Sequence, residues 1–188
     1  MALLVSGCVV NVQEVALSAK PLALRLASPK ATVPVLVLAD GCVIDKSLDI
    51  MRWCLGMSDP EDWLGGIDAG LIASNDGVFK YHLDHYKYAA PGDEREAHRS
   101  AGTTFLAELE TRLAGTANLC RDRLSFTDIA LMPFVRQFAA VDRDGFSAQP
   151  LPQLQAWLAV LETSAVFTAT MTRLPAGQQA AINCPGFS

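Results

Sequence analysis

Thr32-Val33-Pro34-Val35-Leu36-Val37-Leu38-Ala39-Asp40-Gly41-Cys42-Val43-Ile44-Asp45-Lys46-Ser47 is the stretch on which the fold turns. Val33 to Leu38 reads as a β-branched strand entered through a proline, which gives up one ladder donor and so suits a strand entrance or edge. Asp40-Gly41 is a tight hairpin signal. Cys42-Val43-Ile44 returns as the next strand, and Ser47 to Leu55 reads as a helix with Ser47 in its N-cap region. The Val33-Pro34 bond has two readings. A cis bond would expose the backbone of Val33 to a ligand, whereas a trans bond would simply open the strand. The tripeptide alone favours the second.

Upstream, Val9 to Val15 alternates well enough for a strand. Lys20 to Ala27 forms a short helix, with Pro21 at its start and Ser28-Pro29 at its end. The order β-α-β-β-α suggests half of a thioredoxin-like sheet. Downstream, Met57 to Gly66 is rich in turn residues and reads as a linker. Everything after it reads as helix. Ile67 to about Tyr88 is one helix, with a possible interruption at Asn75-Asp76-Gly77. Pro91-Gly92 breaks the chain, and Asp93 to Leu113 follows with the apolar stripe Phe105, Leu106, Leu109 and Leu113. Ser125 to Val141 is apolar on nearly every side, so it is the central buried helix. Its start, Ser125-Phe126-Thr127-Asp128, is a capping box with Asp in place of Glu. Pro152 to Glu162 is the last clear helix, and the last dozen residues show no pattern. The expected division is 1–56 for the α/β part, 57–66 for the linker and 67–188 for an all-helical domain.

Composition narrows the function. Of 188 residues, 51% are apolar and 19% charged, enough for a sizeable core. The formal net charge of −5 gives no basic face for nucleic acid. No apolar run approaches the roughly 18 residues of a membrane span, and the opening segment lacks the marks of a signal peptide. Five cysteines, Cys8, Cys42, Cys54, Cys120 and Cys184, are scattered without a C-x-x-C pair. They argue for reduced thiols in a cytoplasmic protein, mostly as small core residues, and against a disulfide framework or metal site.

Taken in order, these motifs resemble the glutathione transferase family. The resemblance runs from Val33-Pro34 through Asp40-Gly41, Lys46-Ser47 and Leu48-Asp49-Ile50-Met51 to the box Ser125-x-x-Asp128. Phe79-Lys80 through Tyr86-Lys87-Tyr88, and Met132-Pro133-Phe134-Val135-Arg136-Gln137-Phe138, resemble its bacterial branch. The fold implied is an incomplete thioredoxin-like α/β domain followed by an all-α helical bundle. The resemblance implies a cis Val33-Pro34, with the Val33 backbone pairing the cysteinyl part of glutathione. Ser47 would receive the γ-glutamyl carboxylate, and Lys30 would meet another carboxylate of the tripeptide. Lys46 stands where the family has an acidic or amide residue that holds the γ-glutamyl ammonium. A second-substrate pocket between the domains would draw on Tyr81, His85 and Tyr88.

The family's first strand and first helix carry the Tyr, Ser or Cys that activates the thiol. Met1 to Ser6 align with the end of that helix, and Ser6 and Cys8 come too late to replace the missing group. Met1 is therefore expected to be an internal methionine, with roughly 20 residues upstream, and the catalytic residue is unassigned. The implied activity is conjugation of glutathione, as co-substrate, to a small electrophile, or glutathione-dependent thiol transfer, by a cytoplasmic homodimer. The alternative is a non-catalytic binding or scaffold protein of the same fold.

Overall fold

The computed structural model describes residues 1–172 and 179–182. The chain divides into two compact units: Met1–Leu64 joined by the segment from Ala165 onward, and Gly65–Ser164.

The first unit begins with α1 (Ala2–Val5) and β1 (Val10–Gln13), followed by α2 (Leu22–Ala27). The hairpin β2 (Leu36–Val37) and β3 (Val43–Ile44) leads into α3 (Ser47–Met57). Leu36 pairs with Ile44 and Val37 with Val43. The turn is built as its sequence requires. Gly41 sits at φ +87°, a conformation that costs glycine little, and the Asp40 carboxylate accepts from Cys42 N at 2.9 Å.

Among the described residues the strands of this α/β unit pair in two two-stranded ladders. β1 pairs antiparallel with β4 (Gln179–Ile182), Val10 opposite Ile182 and Gln13 opposite Gln179. The chain therefore supplies backbone partners for β1 from residues in which sequence shows no pattern. α10 (Ala165–Met171) belongs to the same unit. Its apolar core is small, with Ala2, Val5, Ile50, Cys54, Leu55 and Trp63 buried. α2 buries no residue, and Leu22 and Leu26 are 70% and 76% exposed. The linker region is ordered: Trp63–Gly65 is a 3₁₀ turn, and the Asp59 carboxylate accepts from Trp63 N and Leu64 N, both at 2.8 Å.

The second unit holds most of the core. α4 (Ala69–Ser74) passes through a π turn (Asn75–Phe79) into α5 (Lys80–Tyr88). The interruption falls at the Asn-Asp-Gly read from sequence. α6 (Asp93–Leu113) has the expected bounds, and α7 (Phe126–Val141) runs on through Pro133. α8 (Arg143–Ser147) and α9 (Pro152–Thr163) follow. α9 starts at a proline, whose missing N–H costs nothing in the first turn. The Glu110 carboxylate from α6 caps two of its free donors, Gln153 N at 3.1 Å and Leu154 N at 2.8 Å. Phe79 stacks on Phe105 at 4.7 Å, while Phe138 lies 5.6 Å from Phe79 and 4.9 Å from Tyr86.

That aromatic cluster needs a glycine opposite it. A β-carbon at Gly102 would lie 2.4 Å from Cε2 of Phe138, a ring that is itself 5% exposed. Gly102→Ala should therefore destabilise the protein by about 1–3 kcal/mol, despite alanine's better helix propensity. Chemical denaturation checks it; a stability equal to or above wild type would show that the ring moves aside freely.

Candidate functional site

Five residues that sequence assigned to glutathione binding, Lys30, Val33, Pro34, Lys46 and Ser47, lie in the first unit. The Val33-Pro34 bond is cis, the reading that the tripeptide alone disfavours, and Val33 is 47% exposed. Lys46, in extended conformation (φ −125°, ψ 132°), is the N-cap of α3, and Ser47 is its first helical residue. Ser47 thus lies in the N-cap region, one residue past the cap itself. The lysine side chain makes no capping hydrogen bond, having no acceptor to offer. Ile50 N donates to Lys46 O at 3.0 Å, the first bond of the helix. Lys46 and Ser47 are both exposed. An eleven-residue helix thus begins with free donors, the positive end of its dipole and an uncommitted hydroxyl, a combination suited to a carboxylate.

Lys30 stands differently from expectation. Its Nζ lies 3.2 Å from Asp45 Oδ2, the oxygen that also accepts from Ser28 Oγ at 3.1 Å. The Lys30 hydrogen bond, then that of Ser28, holds the Asp45 carboxyl below its ordinary value. Ser28 is 1% exposed, so it anchors the carboxylate and the lysine follows. Sequence reasoning missed Asp45. It looked for an acid immediately before Ser47, whereas the acid stands one residue earlier and faces the Ser28–Lys30 turn.

Ser6 is a packing residue, while Cys8 is partly exposed. Ser6 is buried and its hydroxyl donates to Leu3 O at 3.1 Å. Of the four described cysteines only Cys54 is buried, and burial pushes its thiol up. Cys42 is exposed, and Cys8 and Cys120 are partly so. The expected core role therefore holds for one of the four; Cys184 lies outside the described residues.

In the second unit, Tyr81, His85 and Tyr88 share one face of α5. The Tyr81 and His85 rings are tilted against each other with centres 4.2 Å apart, and the His85 Nδ1 meets Tyr81 O at 2.8 Å. Tyr88 is 74% exposed, with Lys87 Nζ 4.9 Å from its ring centre. Two histidines that sequence left unremarked join them: His82 on α5 and His98 on α6, with their Nδ1 atoms 2.9 Å apart. The three-residue spacing of His82 and His85 was the available signal. Among the described residues no three His, Cys, Asp or Glu side chains are arranged to hold a metal.

At the start of α7 the Asp128 carboxylate is fully buried and accepts four hydrogen bonds. Oδ1 takes Leu119 N at 2.8 Å and Trp157 Nε1 at 3.1 Å; Oδ2 takes Ser125 N at 3.0 Å and the Ser125 hydroxyl. The capping box read from sequence is present. With every lone-pair direction committed, Asp128 holds structure and has none left for a ligand.

Residues 92–159 match the family described as "Glutathione S-transferase, C-terminal domain". No curated protein matches the chain. Solved structures of glutathione S-transferases share its fold. One from Rhodospirillum rubrum F11 is 21% identical with a TM-score of 0.67, over 89% of this chain and 81% of that one. A Gtt2-class enzyme of Vibrio parahaemolyticus is 19% identical with a TM-score of 0.64, over 85% and 82%. A glutathione transferase of Burkholderia graminis, 19% identical with a TM-score of 0.63 over 77% and 68%, has two glutathione molecules bound per subunit.

Proposed function

From the match of residues 92–159 to the glutathione S-transferase C-terminal domain and the fold shared with solved glutathione S-transferases, we propose that this protein is of the glutathione S-transferase type and binds glutathione at the N-terminus of α3. The observation that carries the reading is the exposed Ser47 in the first turn of that helix, whose N-cap side chain supplies no capping hydrogen bond; Val33, before the cis bond, is exposed as well. In this reading the γ-glutamyl carboxylate sits on Ser47 and the first-turn N–H groups, and the Val33 backbone pairs the cysteinyl part. The activity is conjugation of glutathione to a small electrophile, or thiol transfer, by a cytoplasmic homodimer, with Tyr81, His85 and Tyr88 supplying contacts for the second substrate. Among the described residues no helix is long and apolar enough to cross a membrane.

A second reading is glutathione binding without turnover or a scaffold role. It is supported by the ion pair of Lys30 with Asp45 and by Lys46, which in the proposed pose would bring a cation to the γ-glutamyl ammonium. Lys46→Glu separates the effects. Replacing repulsion by attraction should tighten glutathione binding about tenfold, equivalent to about 1.4 kcal/mol, measured by calorimetric titration. Unchanged affinity would remove the ammonium from the neighbourhood of residue 46. Turnover of a general aromatic electrophile with glutathione then decides between the readings: a measurable rate supports the enzyme, and binding without any rate supports the non-catalytic protein.

A further inference from the structure

All three histidines of the chain, His82, His85 and His98, meet on one side of the α5–α6 pair. The His85 ring stacks on that of His98 at 4.6 Å and 25°, and the His82 and His98 ring centres are 5.1 Å apart. Tyr81 lies against all three, 5.2 Å from His82, 4.2 Å from His85 and 5.6 Å from His98.

In the 2.9 Å contact between the Nδ1 atoms of His82 and His98, one nitrogen carries a proton and donates, and the other offers a lone pair and accepts. The acceptor ring is therefore a neutral Nε2–H tautomer, and when both rings are neutral the two are opposite tautomers. Protonating the acceptor removes the hydrogen bond and brings two imidazolium rings into contact, with a third imidazole stacked on the pair.

Among the described residues no carboxylate forms an ion pair with any of the three rings. On α5 the nearby ionisable groups are Lys80, Tyr81, Asp84, Tyr86, Lys87 and Tyr88; on α6 they are Asp93, Glu94, Arg95, Glu96 and Arg99. Arg95 Nε donates to Tyr86 O at 2.9 Å, and Arg99 pairs with Glu96. The π turn contributes Asp76, which accepts from Asn75 Nδ2. From α7, Arg136 holds Glu162, and Asp128 is enclosed by its four donors. Among the described residues no carboxylate hydrogen-bonds any of the three rings.

We propose that His82, His85 and His98 form a proton-operated latch between α5 and α6, closed when the rings are neutral and opened by mild acid, which releases Tyr81 and loosens α5. The proposal is independent of glutathione binding. Burial first, then the charges of His98 and His85, holds His82 below the ordinary imidazole value. A base whose folded-state value is depressed contributes its full stability above the unfolded value, about 6.5. That contribution falls as pH drops from there toward the folded value.

The test compares the full chain with His98→Gln, which keeps a polar side chain but carries no titrating ring, in the presence of a chelator. Between pH 7.5 and 5.5 the wild-type Tm should fall by roughly 2–4 °C more than that of the variant, and exchange of α5 amides should speed up in the wild type alone. Parallel Tm curves would overturn the proposal. Ring-nitrogen NMR of the wild type gives a second decision that needs no variant. At pH 8 one of His82 and His98 should be protonated on Nδ1 and the other on Nε2; two Nε2–H tautomers would overturn it.

Discussion

Asp128→Ala lowers stability by about 3–5 kcal/mol, the loss typical of a buried polar network stripped of its central acceptor. Four donors converge on this carboxylate from three parts of the second unit: Leu119 N, Trp157 Nε1, Ser125 N and the Ser125 hydroxyl. Alanine leaves all four without their acceptor in a site that excludes water, and each orphaned donor costs on the order of 1–3 kcal/mol before relaxation. The start of α7 loses its cap, and with it the register of the most buried helix of the chain. Asp128→Asn should cost less, about 1–3 kcal/mol. The amide oxygen keeps one pair of donors, the amide nitrogen faces the other pair, and only a hydroxyl on that side can turn to accept. Denaturant unfolding of the three proteins measures the order wild type, Asn, Ala. An asparagine variant as unstable as the alanine one would mean that the negative charge, rather than the acceptor count, holds the network.

Ser47→Asp separates binding from folding. A carboxylate in the first turn of α3 interacts favourably with the helix dipole, so stability should hold or rise by about 0.3–1 kcal/mol. The same carboxylate would stand where the γ-glutamyl carboxylate is proposed to bind. Two like charges about 4 Å apart at an effective dielectric of 20 repel by roughly 4 kcal/mol, and the displaced hydroxyl is lost as a donor as well. Glutathione affinity should therefore fall by at least about a hundredfold, with an unchanged or raised Tm. A variant that binds as well as wild type would remove the carboxylate from this helix end.

Features encoded within a few neighbouring residues were legible in the sequence. Pro152 fixed the start of α9, Asn75-Asp76-Gly77 marked the π turn, and the Ser125–Asp128 spacing marked the cap of α7. Each is a local preference of the backbone, expressed without help from distant parts of the chain. The pairing of β1 with Gln179–Ile182 spans nearly the whole chain and leaves no periodic trace in its second strand. Lys30 offers a free cation in sequence, and only the fold brings Asp45 to it from fifteen residues away. His98 was likewise a surface position on a helix until α6 packed against α5. The cis bond at Val33-Pro34 was reached through the motif order, because the tripeptide alone favours the trans isomer. At the candidate site, residue identities were therefore legible, while their engagement by one another was not.

Calorimetric titration of glutathione into the wild-type chain, with Ser47→Asp run alongside, tests the central claim most directly. The account predicts saturable one-site binding to the wild type and a hundredfold or greater loss in a variant that remains folded. Equal affinities in the two proteins, or no heat from the wild type at millimolar glutathione, would contradict it.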